Sequence, residues 1–206
     1  MIKTLYPCFQ HWSAKGSVYL VSDTHFFDND REVMGYNIPE SVQLERIIST
    51  CHKNDTLIHL GDVGSVEWMN KIKAYKVLIM GNHDQSIEEM RKYFDEVYSG
   101  PLWISQKLVL SHEPLITQTW STVETIAFNI HGHDHDDTKR DYHLNLAQNV
   151  FGYLPLNLKY FIEQGYLKSI NDIHRTTIDY ATMKKNIRKN KDTFKDWYQD
   201  SGVLNV

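Results

Sequence analysis

The stretch Val18-Tyr19-Leu20-Val21-Ser22-Asp23-Thr24-His25 joins an apolar run of strand length to a turn that carries an aspartate and a histidine. The same pattern recurs in residues 56–62 and 76–84, where polar residues again follow directly after an apolar run. Between the first two runs, apolar residues recur at the spacing of one helix face, at Leu44, Ile47, Ile48 and Cys51. This alternation of strands and helices predicts right-handed crossovers and a largely parallel sheet.

Further strands are predicted at residues 107–110, 127–130 and 144–147, and a short helix at residues 65–74. Ser86-Ile87-Glu88-Glu89 has the pattern of a capping box that opens another helix. Because loops without clear helices separate the later strands, the pattern favours antiparallel pairing in the second half. We predict one domain over residues 1–170, with a helical C-terminal segment over residues 171–206 packed on it.

The composition is that of a single globular domain. The 206 residues, 41% of them hydrophobic, allow one sizeable core, and the longest apolar runs are too short to cross a membrane. The N-terminus has no signal-peptide pattern, and Cys8 and Cys51 follow no metal or redox spacing, so we expect a cytoplasmic protein. The net charge of −4 argues against a broad basic surface for nucleic acid.

Five predicted strands end in side chains that are able to bind metal ions or move protons. These residues are Asp23, His25, Asp62, Asn82, His83, Asp84, His112, His133 and His135. The carboxyl ends of parallel strands converge on one edge of a sheet, where active sites form. Imidazoles, carboxylates and an amide oxygen suit a pair of divalent ions roughly 3.5–4 Å apart, which lower the pKa of a bound water to roughly 7. Glycines before Asp62, Asn82 and His133 fit the tight turns that such ligands need. The sequence therefore predicts a two-metal centre for phosphoryl-transfer chemistry.

The set of polar motifs resembles that of the calcineurin-like metallophosphoesterases, in the order found in that family. It consists of Asp23-Thr24-His25, Gly61-Asp62, Gly81-Asn82-His83-Asp84, His112 and Gly132-His133-Asp134-His135. The resemblance covers about residues 17–150, and Gly152-Tyr153-Leu154-Pro155 is similar to small bacterial and phage members. It implies an α/β (α+β) fold, a β-sandwich flanked by helices with the active site at the strand carboxyl ends.

The resemblance also implies a role for each motif residue. One metal ion would be held by Asp23, His25 and His135, and the other by Asn82, His112 and His133. Asp62 would bridge the two ions. His83 would assist at the scissile phosphate without binding a metal, and Asp84 would orient His83 through a hydrogen bond. We expect two divalent ions, Mn²⁺ first, with Fe, Zn²⁺, Ni²⁺ or Co²⁺ as alternatives.

The implied activity is hydrolysis of phosphate monoesters or diesters by metal-bound hydroxide. A small-molecule or nucleotide substrate is favoured, because the chain is short and shows no cap domain. Two enzyme alternatives remain, a nuclease, which the basic residues 175–195 favour, and a protein phosphatase. A non-catalytic binding module with the same fold is the alternative from another class, although an intact His83 argues for turnover.

Several residues outside the motifs keep two interpretations each. His59 is predicted to be a core histidine rather than a direct metal ligand, with a supporting role behind Asp62 as the intermediate alternative. His131 and His143 are expected in a substrate pocket or on the surface. Asp84 is also a candidate helix cap. Trp120 is expected to pack, or alternatively to stack on a nucleobase.

Overall fold

Two mixed β-sheets form the core of the computed structural model, which describes residues 1–105, 107–115 and 127–165. The first sheet contains β1 (Val18–Val21), β2 (Thr56–His59), β3 (Tyr75–Ile79), β4 (Glu96–Tyr98) and β9 (Leu156–Asn157). The second contains β5 (Leu102–Ser105), β6 (Leu108–Leu110), β7 (Phe128–His131) and β8 (His143–Asn145). The α-helices are α1 (Glu40–Thr50), α2 (Ile87–Met90), α3 (Gln148–Phe151) and α4 (Leu158–Glu163), and two 3₁₀ helices span Pro7–Ser13 and Val66–Lys71.

The first sheet brings the motif-bearing strands side by side. Its strand order is β4-β3-β2-β1-β9, and β1 to β4 run parallel to one another. The short β9 pairs with β1 in the antiparallel direction and is the one such strand described in this sheet. The carboxyl ends of β1, β2 and β3 therefore lie at one edge, as the strand-and-helix alternation predicted.

Apolar side chains leave the first sheet on both faces. Val18 and Leu20 of β1 belong to a cluster that also holds residues of the second sheet, such as Leu110 and Ile130. Val21 instead joins a cluster with residues of α1 and of the 3₁₀ helix Val66–Lys71. Because alternate side chains point to opposite faces and both faces are covered, the strands appear in the sequence as continuous apolar runs. The expected arrangement of sheets flanked by helices is confirmed.

The second sheet differs from the expectation in its strand direction. β5 and β6 are antiparallel, but β6 pairs with β7 and β7 with β8 in parallel. The prediction of antiparallel pairing is therefore wrong for two of these three pairs. A parallel connection needs about a dozen residues of chain, which a long loop supplies as well as a helix does. The loop between β7 and β8 carries His133 and His135, so here the crossover itself holds part of the site.

The helix predictions hold with changes in extent. The helix predicted at residues 65–74 is the 3₁₀ helix Val66–Lys71, and Val66, Met69 and Ile72 are buried as expected. Ser86 caps α2, since its Oγ accepts a hydrogen bond from the Glu89 amide. Residues 171–206 and Trp120 lie outside the described residues. None of the helices described is long and apolar enough to span a membrane.

Candidate metal centre

Two clusters of potential metal ligands lie at the carboxyl edge of the first sheet. Ligand atoms of Asp23, His25 and His135 all lie within 4.8 Å of one another, and the same holds for Asp62, His112 and His133. The histidines thus lie in two groups, the same grouping that the family resemblance implies for two metal ions. Asn82 joins the second cluster, since its Oδ1 lies 2.9 Å from His112 Nε2 and 3.1 Å from His133 Nδ1.

Asp62 lies between the two clusters. Its Oδ2 is 3.6 Å from Nε2 of His25 in the first cluster and 3.3 Å from Nε2 of His112 in the second. Its other oxygen, Oδ1, accepts a hydrogen bond from the His83 amide at 2.9 Å. One carboxylate therefore reaches both positions while a backbone contact fixes its orientation, which suits a bridging ligand.

The hydrogen bonds behind the histidines leave lone pairs pointing into the centre. His112 Nδ1 lies 2.9 Å from the Leu60 carbonyl, which only accepts, so Nδ1 carries the proton and Nε2 of the neutral ring faces inward unprotonated. His25 Nδ1 likewise faces Asp28 Oδ2 at 3.0 Å, and the buried Nε2 of His25 has no hydrogen-bond partner. Imidazole nitrogens and carboxylate oxygens that converge in this way favour a cation between them, so the side chains present fit divalent metal ions.

Electrostatics within the site favour positive charge as well. Burial opposes ionisation of Asp62, but a hydrogen bond from His112 and the charge of that ring outweigh burial and lower the pKa of Asp62 to about 2. Burial also opposes a charge on His112, yet the Asp62 carboxylate raises the pKa of His112 to about 9. Burial opposes ionisation of Asp23 too, but its contacts with His25 and Ser22 and the charge of His112 together lower the pKa of Asp23. The ionised Asp62 carboxylate thus stabilises a proton on His112, and the same negative charge would stabilise a divalent cation at this position.

The backbone conformations at the ligands are unusual. Asp23, His25, Asp62 and His133 have φ angles of 52°, 41°, 57° and 67°, in the left-handed region that non-glycine residues rarely adopt. Each such residue costs on the order of 1 kcal/mol or more and persists only where its surroundings enforce it. One enforcing contact is the bond from the His133 amide to both Asp23 carboxylate oxygens, at 3.1 and 3.0 Å.

Glycines permit the close approach of the loops, as predicted. A Cβ added to Gly132 would lie 1.9 Å from Ser22 Oγ and 2.0 Å from Asp23 Oδ2. A Cβ on Gly81 would lie 2.1 Å from Asp62 Oδ1. No side chain fits at either position without moving a ligand-bearing loop.

His83 and Asp84 occupy the rim of the centre, but Asp84 acts differently from the expectation. The Asp84 carboxylate accepts hydrogen bonds from the amides of Asp62, Val63 and Gly81, at 3.1, 2.9 and 2.8 Å. Among the described contacts none joins it to the His83 ring, and Ser86 provides the cap of α2. Asp84 therefore fixes the loops that carry Asp62 and His83, because three amides occupy its oxygens. The His83 side chain is exposed, and its ring centroid lies 5.5 Å from that of His25.

The remaining histidines support or adjoin the centre. His59 is fully buried, and burial lowers the pKa of His59 to about 3. It accepts a hydrogen bond from the Gly61 amide and contacts Thr24 Oγ1 at 3.0 Å, so the core interpretation holds and it also supports the ligand loops. His131 is only 2% exposed, so the surface interpretation is wrong for it, and its ring packs edge-on against His143.

Four supporting residues were missed by sequence reasoning. Asp28 and Asn149 contact the Nδ1 atoms of His25 and His135, each at 3.0 Å. Buried Arg31 donates hydrogen bonds to the carbonyls of Thr24 and His25, and Tyr36 donates one to the Asp23 carbonyl. Only Asp28 carried a local signal, as a carboxylate three residues after a ligand.

Comparisons with solved structures found the following similarities. The protein of unknown function AQ665 from Aquifex aeolicus is 24% identical, with a TM-score of 0.59 over 72% of this chain and 98% of that one. The nuclease MPE from Pseudomonas putida is 23% identical, with a TM-score of 0.41 over 60% of this chain and 63% of that one. No curated protein matches the sequence.

A family model provides the broader classification. The model of the calcineurin-like phosphoesterase superfamily domain matches residues 17–150, which is more than half of the chain and includes both ligand clusters. The motif resemblance is thereby confirmed, and with it a metal-dependent phosphoesterase in general terms. The chain belongs to the calcineurin-like phosphoesterase superfamily.

Proposed function

We propose that this protein hydrolyses small phosphate esters, monoesters or diesters, with two divalent metal ions. The observation that carries the proposal is the pair of ligand clusters that share Asp62. The first ion would be held by Asp23, His25 and His135, the second by Asn82, His112 and His133, with Asp62 on both. Such ions supply a nucleophilic water at neutral pH and offset charge on the phosphate oxygens. The donor set, without thiolate, suits Mn²⁺ first, with Fe, Zn²⁺, Ni²⁺ and Co²⁺ as alternatives.

The protein's own groups have distinct tasks in this reaction. His83 is exposed beside the centre, so its ring is open to contact with the departing oxygen and supplies a proton or stabilises charge there. Asp84 positions His83 indirectly, by holding the Gly81 amide two residues earlier. The amide of His83 in turn orients the Asp62 carboxylate, so one turn of chain serves both the metal bridge and the leaving group.

The proposal is tested with metal-stripped protein, assayed with and without Mn²⁺ on bis-p-nitrophenyl phosphate and p-nitrophenyl phosphate. We expect Mn²⁺ to restore hydrolysis of at least one ester, and the ratio of rates to distinguish a phosphodiesterase from a phosphatase. His83→Ala should lower kcat by about 10²-fold or more with metal content unchanged. His52→Ala, a change at another exposed histidine, is the control.

A panel of nucleotides, oligonucleotides and phosphopeptides separates the remaining candidates. Selective cleavage of oligonucleotides would replace the small-ester proposal with a nuclease, and selective release of phosphate from peptides would replace it with a protein phosphatase. Protein that holds two metal ions per chain and hydrolyses no member of the panel would indicate a non-catalytic binding module.

A further inference from the structure

A recess of about 320 Å³ opens directly beside the second ligand cluster. Asn82 and His112 form part of its wall, so a phosphorus ester bound at the metal centre has one side facing this space. The rest of the wall comes from the end of β3, the β4–β5 connection and the residues after β6. The volume is at the lower end of ligand pockets, enough for one ring or a short chain.

The lining of the recess is mainly apolar. Met80, Pro101 and Leu115 contribute hydrocarbon surface. Among the described residues of the wall, Glu113 is the one carboxylate, and neither lysine nor arginine is present. Glu113 is exposed and directly follows the ligand His112. A second anionic group of a substrate would therefore meet a negative charge here, with no basic side chain of the described wall to offset it.

We propose that this recess binds the organic group of the phosphate ester, and that Glu113 selects an uncharged or cationic group over an anionic one. The inference rests on the proposed function for its biological meaning, because an organic group is placed there only when a phosphorus ester occupies the metal centre. It narrows the substrate class to esters of small neutral or amino alcohols, and it disfavours compounds with a second phosphate or carboxylate on that side.

Gly100 offers a means of filling the recess without disturbing the fold. It lines the recess, its φ is outside the left-handed region, and a Cβ built there meets no atom within 4 Å. Leucine at this position would add a bulky side chain at the wall of the recess while the backbone keeps its conformation. The matched probes are methylphosphonate and phenylphosphonate, whose charged groups are alike and whose organic groups differ in size.

The size test measures binding of both probes to Mn²⁺-loaded protein by calorimetry. We expect the wild type to bind phenylphosphonate at least threefold more tightly than methylphosphonate. Gly100→Leu should weaken phenylphosphonate about tenfold and leave methylphosphonate within twofold. The inference would be overturned if Gly100→Leu weakened the binding of both probes equally or of neither, or if the wild type bound no phosphonate.

The charge test adds 4-carboxyphenylphosphonate, which carries one more negative charge than phenylphosphonate. The wild type should bind it about three- to tenfold more weakly than phenylphosphonate, and Glu113→Lys should reverse that order. Glu113→Gln should give a ratio near one, and Glu45→Lys on exposed α1 should behave as the wild type. A ratio that does not respond to Glu113→Lys would refute the selection by charge.

These binding measurements are independent of turnover. If the protein shows the expected size and charge preferences but hydrolyses no ester, the subsite is supported and the proposed enzymatic function is refuted. Protein that hydrolyses esters but shows neither pattern retains the function and loses the subsite.

Discussion

Asp28→Asn is the sharpest test of how the chain prepares its first metal position. Asp28 uses both carboxylate oxygens, since Oδ2 faces His25 Nδ1 and Oδ1 accepts the Asp30 amide, each at 3.0 Å. The Asp30 amide is the largest cause of a lowered pKa for Asp28, which keeps the carboxylate ionised. It therefore holds the proton of His25 on Nδ1 and leaves Nε2 as the metal-facing lone pair.

An asparagine at this position cannot satisfy both neighbours. With its oxygen on the Asp30 amide, its NH₂ faces His25 Nδ1 and moves the imidazole proton to Nε2, where it blocks a metal ion. With the amide turned over, the Asp30 N–H loses its acceptor, which costs about 1 kcal/mol. Loss of a supporting carboxylate typically weakens metal binding about 10–100-fold, or about 1.4–2.7 kcal/mol.

The assay is calorimetric titration of Mn²⁺ into stripped protein. We expect one of two binding steps to weaken about 10–100-fold in Asp28→Asn, with the other close to the wild type. Asp30→Asn is the matched control, because it makes the same charge change in the same loop, and only the backbone amide of Asp30 contacts Asp28. If the two variants bind Mn²⁺ within twofold of each other, the reasoning about the His25 proton is wrong.

Three further changes test the support around the centre. Burial lowers the pKa of His59 to about 3 in the folded protein. Below pH 6.5 this histidine is therefore protonated in the unfolded chain but stays neutral in the folded protein. The free energy of unfolding falls as the pH drops from 6.5 towards 3. Urea unfolding of metal-stripped protein should show that the free energy of unfolding of the wild type falls between pH 7 and pH 4 by on the order of 3 kcal/mol more than that of His59→Gln. An equal fall in both proteins would contradict the lowered pKa of His59. Gly132→Ala should cost about 1–3 kcal/mol of stability and weaken Mn²⁺ binding, because its Cβ would lie 2.0 Å from Asp23 Oδ2, whereas Gly100→Ala as the control should cost little. Asp62→Asn should abolish turnover and reduce metal content below two ions per chain, measured by elemental analysis; full activity at two ions would remove Asp62 from the bridge.

The residues of the two candidate ligand clusters could be located in the sequence because each follows directly after the strand that positions it. The apolar run before Asp23 and His25 predicts a buried strand with these two residues at its carboxyl end. Because β1, β2 and β3 are parallel neighbours, their carboxyl ends then lie side by side. At these positions the local sequence pattern also determines where the side chain lies in the fold, so a single sequence is enough to predict the cluster. The direction of the second sheet was less accessible, because loops without periodicity carry no sign of the pairing between β6, β7 and β8.

The supporting contacts were not predictable for a related reason. Asn149 donates a hydrogen bond to the carbonyl of Met34, 115 residues away in the sequence, and no local pattern records such a pairing. Arg31 appears in the sequence as an ordinary charge in a polar loop, yet it is buried and holds the carbonyls of Thr24 and His25. The contacts of Asp84 were not predictable either. The motif shows that Asp84 is next to His83 in the sequence, but not that its carboxylate accepts hydrogen bonds from three backbone amides.

The hydrogen bonds of three carboxylates stabilise the strained left-handed backbone conformations at the candidate metal ligands. Asp23 binds the His133 amide, Asp62 binds the His83 amide, and Asp84 binds the Val63 amide, so each carboxylate ties one ligand-bearing loop to another. Charge-assisted bonds of this kind are about twice as strong as neutral ones, and they offset the cost of the left-handed turns at the ligands. The protein's own carboxylates thus hold the ligand-bearing loops against one another, and the left-handed turns at Asp23, Asp62 and His133 persist within that network.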